Sequence, residues 1–317
     1  MMDLSIIIVN YNGTGFIEGC LESIPGRFGS AGSNLSCETI VVDNASGDQS
    51  PGHIGRFCKK HADFRLIENA KNMGFGAASN IGALGAAGRF LLFLNPDCRL
   101  LEGGIDRVIK YYGEAENIGA LGVRMLNRDG GLQLSCRAFP GIARQFYESY
   151  FLYRIFKKSR IFGSYFMTWW DHCTNREVDW LSGSFILIKK QIFEEAGGFD
   201  SDYFMYSEDT DLCRRLYRKG FRNHYYPDYC VEHADGGIAS RDMALREAGI
   251  WKSRRLYFIK NHSKLHASVF SLFYFLGIMN RIIVFGAASV FSREARKQGR
   301  VPMYIRAIRS YFSGEVR

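Results

Sequence analysis

The chain has 317 residues, 47% hydrophobic, 15% aromatic and 23% charged, with 34 glycines and 6 prolines. Those fractions describe a folded globular protein and exclude disordered, collagen-like, coiled-coil and Pro-rich linker classes. The net charge of +9 is uneven: residues 241–317 carry 15 Lys and Arg against 4 Asp and Glu, while the remainder, 26 against 28, is close to neutral.

In chain order, Leu4-Ser5-Ile6-Ile7-Ile8-Val9 is a β-branched run stopped by Asn10-Tyr11-Asn12-Gly13, the pattern of a buried strand in a parallel sheet. No basic region with a long apolar stretch precedes it, so the start reads as a strand and not as a signal peptide. A helix is expected over Phe16–Ile24, then a loose Gly/Ser segment, Gly26–Ser36. A second strand, Glu38–Val42, ends in Asp43-Asn44-Ala45-Ser46, and a third is expected at Phe64–Ile67. The glycine-spaced stretch from Asn72 to Gly82 predicts a loop entering a small-residue helix. A fourth strand, Phe90–Leu94, stops at Asn95-Pro96-Asp97. This alternation predicts an α/β fold with its ligands at the carboxyl ends of the strands, where Asn10, Tyr11, Asp43, Asn44, Asn95 and Asp97 lie.

Beyond residue 100 the alternation weakens. Residues 146–170 are aromatic and basic and suggest a mobile or surface-binding insertion. A strand Ser184–Ile188, a helix Asp211–Lys219 and a strand near Tyr225–Val231 are expected further on, with a domain boundary at residue 240 and a helical basic extension over 241–317. The extension contains Ala267–Phe291, long enough to span a bilayer but interrupted by Asn280-Arg281. A central arginine costs about 2.5–3.5 kcal/mol on insertion scales. Helices lying on an anionic membrane surface, aided by Lys252, Arg254, Arg255, Arg293, Arg296, Lys297 and Arg300, compete with a buried helix of a homodimer interface. Long apolar runs among the basic residues suit lipid better than nucleic acid. The eight cysteines are scattered without a CxxC pair, which disfavours a zinc ribbon or disulfide scaffold and suits a reducing cytosol.

Two motifs carry chemistry. Glu208, Asp209 and Asp211 follow the aromatic patch Tyr203-Phe204-Met205-Tyr206. Acidic residues favour a helix start, which accounts for part of the cluster. Carboxylates hemmed in by aromatics are also desolvated, which suits a general base. Asn95-Pro96-Asp97 is either ordinary turn chemistry or a rigid corner offering oxygen ligands to a divalent cation. His233 gains interest only where the fold brings it to Asp97. The glycines at 74, 76 and 82 do not follow the first strand, so they fail as a dinucleotide fingerprint, and there is no Walker Gly-Lys-Ser/Thr sequence.

Six segments occur in order: Ser5–Asn12, Val41–Ser46, Asn72–Gly76, Asn95–Asp97, Val178–Phe185, and Gly198-Phe199-Asp200 leading to Glu208–Leu212. Together they resemble the family-two inverting glycosyltransferases of the GT-A fold, in particular bacterial rhamnosyltransferases that extend lipid-linked glycans. The resemblance implies a Rossmann-like, mostly parallel sheet flanked by helices. It implies that Val9 and Tyr11 border the donor base, that Asp43 bonds its ring N–H, and that Asn10, Asn72, Gly74 and Phe75 belong to the nucleotide-sugar site. Asp97 resembles the last carboxylate of an Asp-x-Asp metal motif, with Asn95 where many relatives have aspartate and His233 a third ligand to Mg or Mn. Asp209 matches the catalytic base beside Glu208, and Trp180 and Ser184 face donor sugar or acceptor. The implied donor is dTDP-L-rhamnose and the acceptor a polyprenyl-diphosphate-linked sugar at the inner face of the cell membrane. A sugar nucleotidyltransferase would want a Gly-rich, Lys/Arg-bearing loop after the first strand. A non-catalytic membrane-docking module would leave the acidic cluster without a purpose.

Overall fold

The N-terminal β-branched run forms β1 (Leu4–Asn10), buried along its whole length, in a computed structural model that describes residues 2–25, 35–234, 242–292 and 299–315. The Gly/Ser segment from residue 26 to 34 and the basic residues Arg293, Arg296 and Lys297 lie outside the described residues. There follow α1 (Ile17–Glu22), β2 (Cys37–Asp43), α2 (Ser50–Lys60), β3 (Phe64–Glu68), α3 (Phe75–Leu84) and β4 (Phe90–Leu94). β1 pairs in parallel with both β2 and β4, and β3 joins β2. The register sets Asn10 beside Asp43, so the polar residues that stop the first two strands share one sheet end.

The alternation then gives way to β5 (Cys98–Leu100), α4 (Ile105–Glu114), β6 (Ile118–Leu126), β7 (Leu132–Gln133) and β8 (Cys136–Arg137). After α5 (Ile142–Ser149) and α6 (Leu152–Ile155) come β9 (Arg176–Val178), β10 (Trp180–Leu181), β11 (Phe185–Lys189), α7 (Lys190–Glu195), α8 (Glu208–Arg218) and β12 (Arg222–His233). The sheet order is β3-β2-β1-β4-β11-β6-β12-β5, with β7 beside β6 and β9 beside β12; β8 and β10 form a separate ribbon. β11 runs antiparallel to β4 and β6, whereas β12 is parallel to β6 and receives β5 antiparallel. Ile6, Ile8, Leu92, Leu94, Val123 and Leu187 are among the fully buried apolar residues of its core.

β6 has no counterpart in the sequence reading because its glycines weaken the strand signal. Packing explains them. A Cβ at Gly122 would lie 2.7 Å from Leu181 Cδ2, and one at Gly119 would lie 2.9 Å from Phe221 Cβ. Two boundaries also move. α8 begins at Glu208, three residues before the expected start, which brings all three carboxylates into its first turn. β12 runs on to His233, which is therefore a strand residue.

Packing divides the chain into two compact units: Met1–Arg137, Asp171–Phe204 and Glu208–Ile238 make the first, and Ala138–Trp170, Met205–Ser207 and Ala239–Arg317 the second. The aromatic segment 146–170 belongs to the second and is partly helical. There α5 packs on α10 (Lys264–Phe291), which also packs on α9 (Met243–Asn261) and α11 (Arg300–Ser313). The α5–α10 contact is polar at its centre: Ser149 Oγ donates to the Phe273 carbonyl at 3.0 Å, and Asn280 Nδ2 to the Ser149 carbonyl at 3.0 Å. α10 has two apolar faces. Ala267, Phe270, Tyr274, Gly277 and Ile278 are buried, while Leu265, Leu272, Leu276, Met279, Ile283 and Val290 are exposed along a helical stripe.

Candidate active site

The antiparallel register of β5 and β12 places His233 opposite Cys98, the residue after Asp97. The chain leaves central β4, turns through Asn95-Pro96-Asp97, and reaches the sheet edge beside the last residue of β12. His233 Nε2 lies 3.2 Å from Asp97 Oδ1, with both side chains nearly buried. On its other side His233 Nδ1 is 2.6 Å from Gln133 Oε1. That amide oxygen only accepts, so Nδ1 carries the proton and Nε2 is the nitrogen turned to the carboxylate. Such a pair holds either an imidazolium–carboxylate bond or a shared cation. The Cys98 thiol also lies within 4.8 Å of both groups. It is fully buried, donates to the Ser184 carbonyl at 3.3 Å, and is pushed well above the usual thiol range by burial. A soft thiol suits a hard divalent cation poorly, so the donors left for such a cation are Asp97 and His233.

Asn95 ties this corner to the loop before β11. Its backbone N–H donates to the Ser184 carbonyl and its Nδ2 to Ser184 Oγ, each at 3.1 Å. Next in that loop, the Gly183 N–H donates to Asp209 Oδ2 at 2.9 Å. Asp209 Oδ1 accepts from the Thr210 N–H at 2.6 Å and from Thr210 Oγ1 at 3.2 Å, as a first-turn carboxylate does at a helix N-terminus. A methyl added at Gly183 would sit 3.3 Å from Phe75 Cε1 and 3.6 Å from Asp209 Oδ2, so the Phe75 ring and this carboxylate bound one space. Burial raises the Asp209 pKa above the usual aspartate range; its hydrogen bonds and the Arg137 charge oppose that shift only in part.

The neighbouring carboxyl differs. Glu208 is 5% exposed and its Oε2 has no hydrogen-bond partner. Burial, with the adjacent Asp209 charge, pushes its pKa well above the usual glutamate range. Of the two adjacent carboxyls, only half-buried Asp209 meets the accessible space. Asp211 is structural: it is buried, its Oδ2 accepts from Arg215 Nε at 2.7 Å, and Arg215 Nη2 donates on to the Gly198 carbonyl at 2.8 Å.

At the other strand ends, Asn10 is fully buried, and its Nδ2 contacts Asp43 Oδ1 at 2.7 Å, Ser50 Oγ at 2.8 Å and Ser46 Oγ at 3.1 Å. Asp43 is nearly buried; its Oδ1 also accepts from Ser46 Oγ, and its Oδ2 from the Ser46 N–H. Val9 is buried and Tyr11 exposed. Asn72 Oδ1 accepts from Asn44 Nδ2 and from the Gly74 N–H, both at 2.9 Å, shaping the loop that opens α3. Gly74 has φ +83°, and a Cβ there would collide with the Phe204 carbonyl oxygen. Trp180 is 6% exposed, with the Arg137 guanidinium 5.2 Å over its ring.

The family model for glycosyl transferase family 2 matches residues 5–209, a span that runs from β1 to Asp209 and leaves His233 outside it. The chain belongs to that family. This glycosyltransferase is 28% identical, over 82% of its length and 85% of the relative's, to an N-acetylglucosaminyl-diphospho-decaprenol L-rhamnosyltransferase of Mycobacterium tuberculosis. It is 30% identical to the rhamnosyltransferase WbbL of Escherichia coli K12, over 72% of this chain and 82% of that one. Among solved structures it resembles the mannosyltransferase PcManGT from Pyrobaculum calidifontis in complex with GDP-Man and Mn2+, with a TM-score of 0.58 and 17% identity over 98% of this chain and 86% of that chain. The fold is GT-A.

Three groups that shape the glycosyltransferase's site had no specific role in the sequence reading, Asn44 being named there only as a polar strand-end residue. Gln133 orients His233, Asn44 braces the Asn72–Gly74 loop, and the Gly183 N–H holds Asp209. Asn44 shows a signal in sequence, as the polar residue after a strand end. Gln133 shows none, because it comes from a two-residue strand 100 positions before its partner.

Proposed function

We propose that this glycosyltransferase moves L-rhamnose from dTDP-L-rhamnose to a polyprenyl-diphosphate-linked sugar, with inversion, in cell-surface polysaccharide synthesis at the cytoplasmic leaflet. The observation that carries the chemistry is the partly exposed carboxylate of Asp209, beside buried Glu208, held by the Gly183 N–H next to Phe75. Support for the sugar comes from the names of both rhamnosyltransferase relatives, and for the lipid-linked acceptor from that of the Mycobacterium tuberculosis one. In this reading Asn72, Gly74 and Phe75 line the donor pocket, with Val9, Tyr11 and Asp43 at its base end; one lone pair of Asp43 Oδ2 remains for a ring N–H. Ser184 and Trp180 lie towards the sugars.

Asp209 takes the proton of the acceptor hydroxyl as that oxygen bonds to the anomeric carbon. The bond from that carbon to the diphosphate oxygen breaks, and its electron pair leaves with the nucleoside diphosphate. One displacement inverts the centre without a protein nucleophile. An elevated Asp209 pKa makes the carboxylate a stronger base than an exposed aspartate. Asp97 and His233 would hold Mg or Mn, with Asn95 positioning the corner through Ser184. A divalent cation there supplies positive charge against the departing diphosphate.

The membrane part of the reading rests on the +11 balance of residues 241–317 and on α10, whose 28 residues are long and apolar enough to cross a bilayer. Arg281, in its middle, is buried between Glu148 and Glu247, which favours a helix packed in its own unit with one face on the lipid surface over a spanning one. The test is transfer of radiolabelled rhamnose to a lipid-linked N-acetylglucosamine acceptor, with product anomer read by NMR. We expect an inverted product, loss of activity on chelation, and loss of most activity in Asp97→Ala. Full activity after exhaustive chelation removes the cation from the proposal, and transfer only from other nucleotide sugars removes rhamnose.

A further inference from the structure

A cavity of about 180 Å³ lies inside the second unit, walled by α5, α6, α9, α10 and α11. No residue of the candidate active site lines it. Its charged walls are Arg154, Arg254, Arg281 and Arg300 against only Glu148 and Glu247, an excess of two positive charges. The two carboxylates are already engaged. Glu148 Oε2 accepts from Arg254 Nη1 at 2.9 Å, and Glu247 Oε1 accepts from Tyr274 Oη at 2.8 Å. Arg281 is 9% exposed; its Nη1 stands 3.8 Å from Glu247 Oε1, beyond hydrogen-bond reach, and has no hydrogen-bond partner. At the rim, exposed Arg300 lies over the Phe285 ring and exposed Arg154 spends only its Nε, on Tyr153 Oη. Among the described residues no carboxylate pairs with either.

Guanidinium groups keep their charge, and their forked donors match phosphate oxygens. A buried donor without an acceptor is costly, and an anionic oxygen at the cavity floor would satisfy Arg281 Nη1. The volume, against about 30 Å³ for each water, suits a small polyatomic headgroup. The helix that supplies Arg281 also carries the exposed stripe Leu272, Leu276, Met279 and Ile283, so an anionic headgroup and an apolar tail could both be met by one unit.

We propose that this arginine-lined cavity binds a phosphate-bearing lipid headgroup, the diphosphate of the lipid-linked acceptor. The phosphate chemistry stands on the cavity alone; the acceptor as its source rests on the function proposed above. The test is isothermal titration of the full chain with geranyl diphosphate in EDTA, with inorganic pyrophosphate and phosphatidylglycerol vesicles as separate arms. Because Arg281→Gln removes a buried cation from between Glu148 and Glu247 and can unfold the unit, the double rim variant Arg154→Gln/Arg300→Gln carries the test. We expect one geranyl diphosphate per chain, a Kd raised at least tenfold in the rim variant, and unchanged binding in Asp97→Ala. Pyrophosphate binding as tight as geranyl diphosphate would assign the cavity to free phosphates and overturn the lipid source. Rim-dependent binding of the vesicles with no binding of geranyl diphosphate would assign it to bulk phospholipid and overturn the acceptor. No binding, or equal binding by the rim variant, overturns the site. A chain that binds geranyl diphosphate yet transfers no sugar refutes the activity and leaves the cavity standing.

Discussion

At the scale of single residues, adjacent carboxyls are sorted by burial. Asp209 keeps an accessible face and three hydrogen-bond donors, so its ionised form is supported. Asp209→Asn retains shape but cannot accept the proton, and turnover should fall about 10²–10⁴-fold in the transfer assay with donor affinity little changed. A folded variant that still turns over at the native rate would remove Asp209 as the base. Because burial raises the Asp209 pKa, kcat/KM should rise with pH through that elevated value and then level off, as the base must be deprotonated to act. Glu208 gives a stability signature of its own. Its folded pKa is raised, so from about pH 4.3 upward the unfolded chain releases this proton while the folded chain keeps it. The unfolded state binds fewer protons there, and stability falls as pH rises towards the folded pKa. The Tm advantage of Glu208→Gln over the parent should therefore be larger at pH 8 than at pH 5, and a pH-independent difference would count against a neutral buried Glu208.

At the scale of elements, the site depends on how closely two loops approach. Gly74 caps α3 at φ +83°, and the Phe75 N–H donates to the Phe204 carbonyl at 3.0 Å, an approach that leaves no room for a side chain. Gly74→Ala pays left-handed backbone strain of about 1–3 kcal/mol and must also displace Phe204. Urea unfolding should show at least that loss, and donor binding should weaken because Phe75 shifts; a parental midpoint would mean that the Gly74–Phe204 approach is relaxed in solution. The short strands matter in the same way. β5 is three residues long and β7 two, yet their pairing with β12 and β6 brings Cys98 opposite His233 and Gln133 onto the imidazole.

At the scale of the whole molecule, charge and apolar surface coincide in the C-terminal part of the chain. α10 exposes Leu272 and Ile283, and the segment around it is strongly basic. Each basic residue near an anionic leaflet contributes about 1 kcal/mol, screened within a Debye length of about 8 Å at physiological salt. In flotation assays the protein should bind anionic vesicles, bind neutral ones less, and release with added NaCl. Leu272→Glu/Ile283→Glu, both on the exposed face, should abolish flotation while leaving Tm near parental. Equal binding to neutral and anionic vesicles would contradict the electrostatic part.

The strands β1 to β4 and the polar residues that end them were legible in the sequence because each is set locally, by a β-branched run and the turn formers that stop it. The acidic cluster and the basic, apolar tail were legible for the same reason, as composition along a short stretch. Which carboxyl faces the open space was not, since Glu208 and Asp209 are neighbours in chain and chemistry and only burial under the fold separates them. The pairing of Asp97 with His233 was a condition the sequence could pose and not answer. It is met through a β5–β12 register joining residues more than a hundred positions apart. Arg281 shows the same limit: in sequence it interrupts an apolar run, and only the packing of α5 and α9 against α10 supplies the two carboxylates that let a charge sit there. Local pattern determines which elements form; long-range packing decides which of their side chains meet, because contacts between distant segments leave no periodic trace in either one.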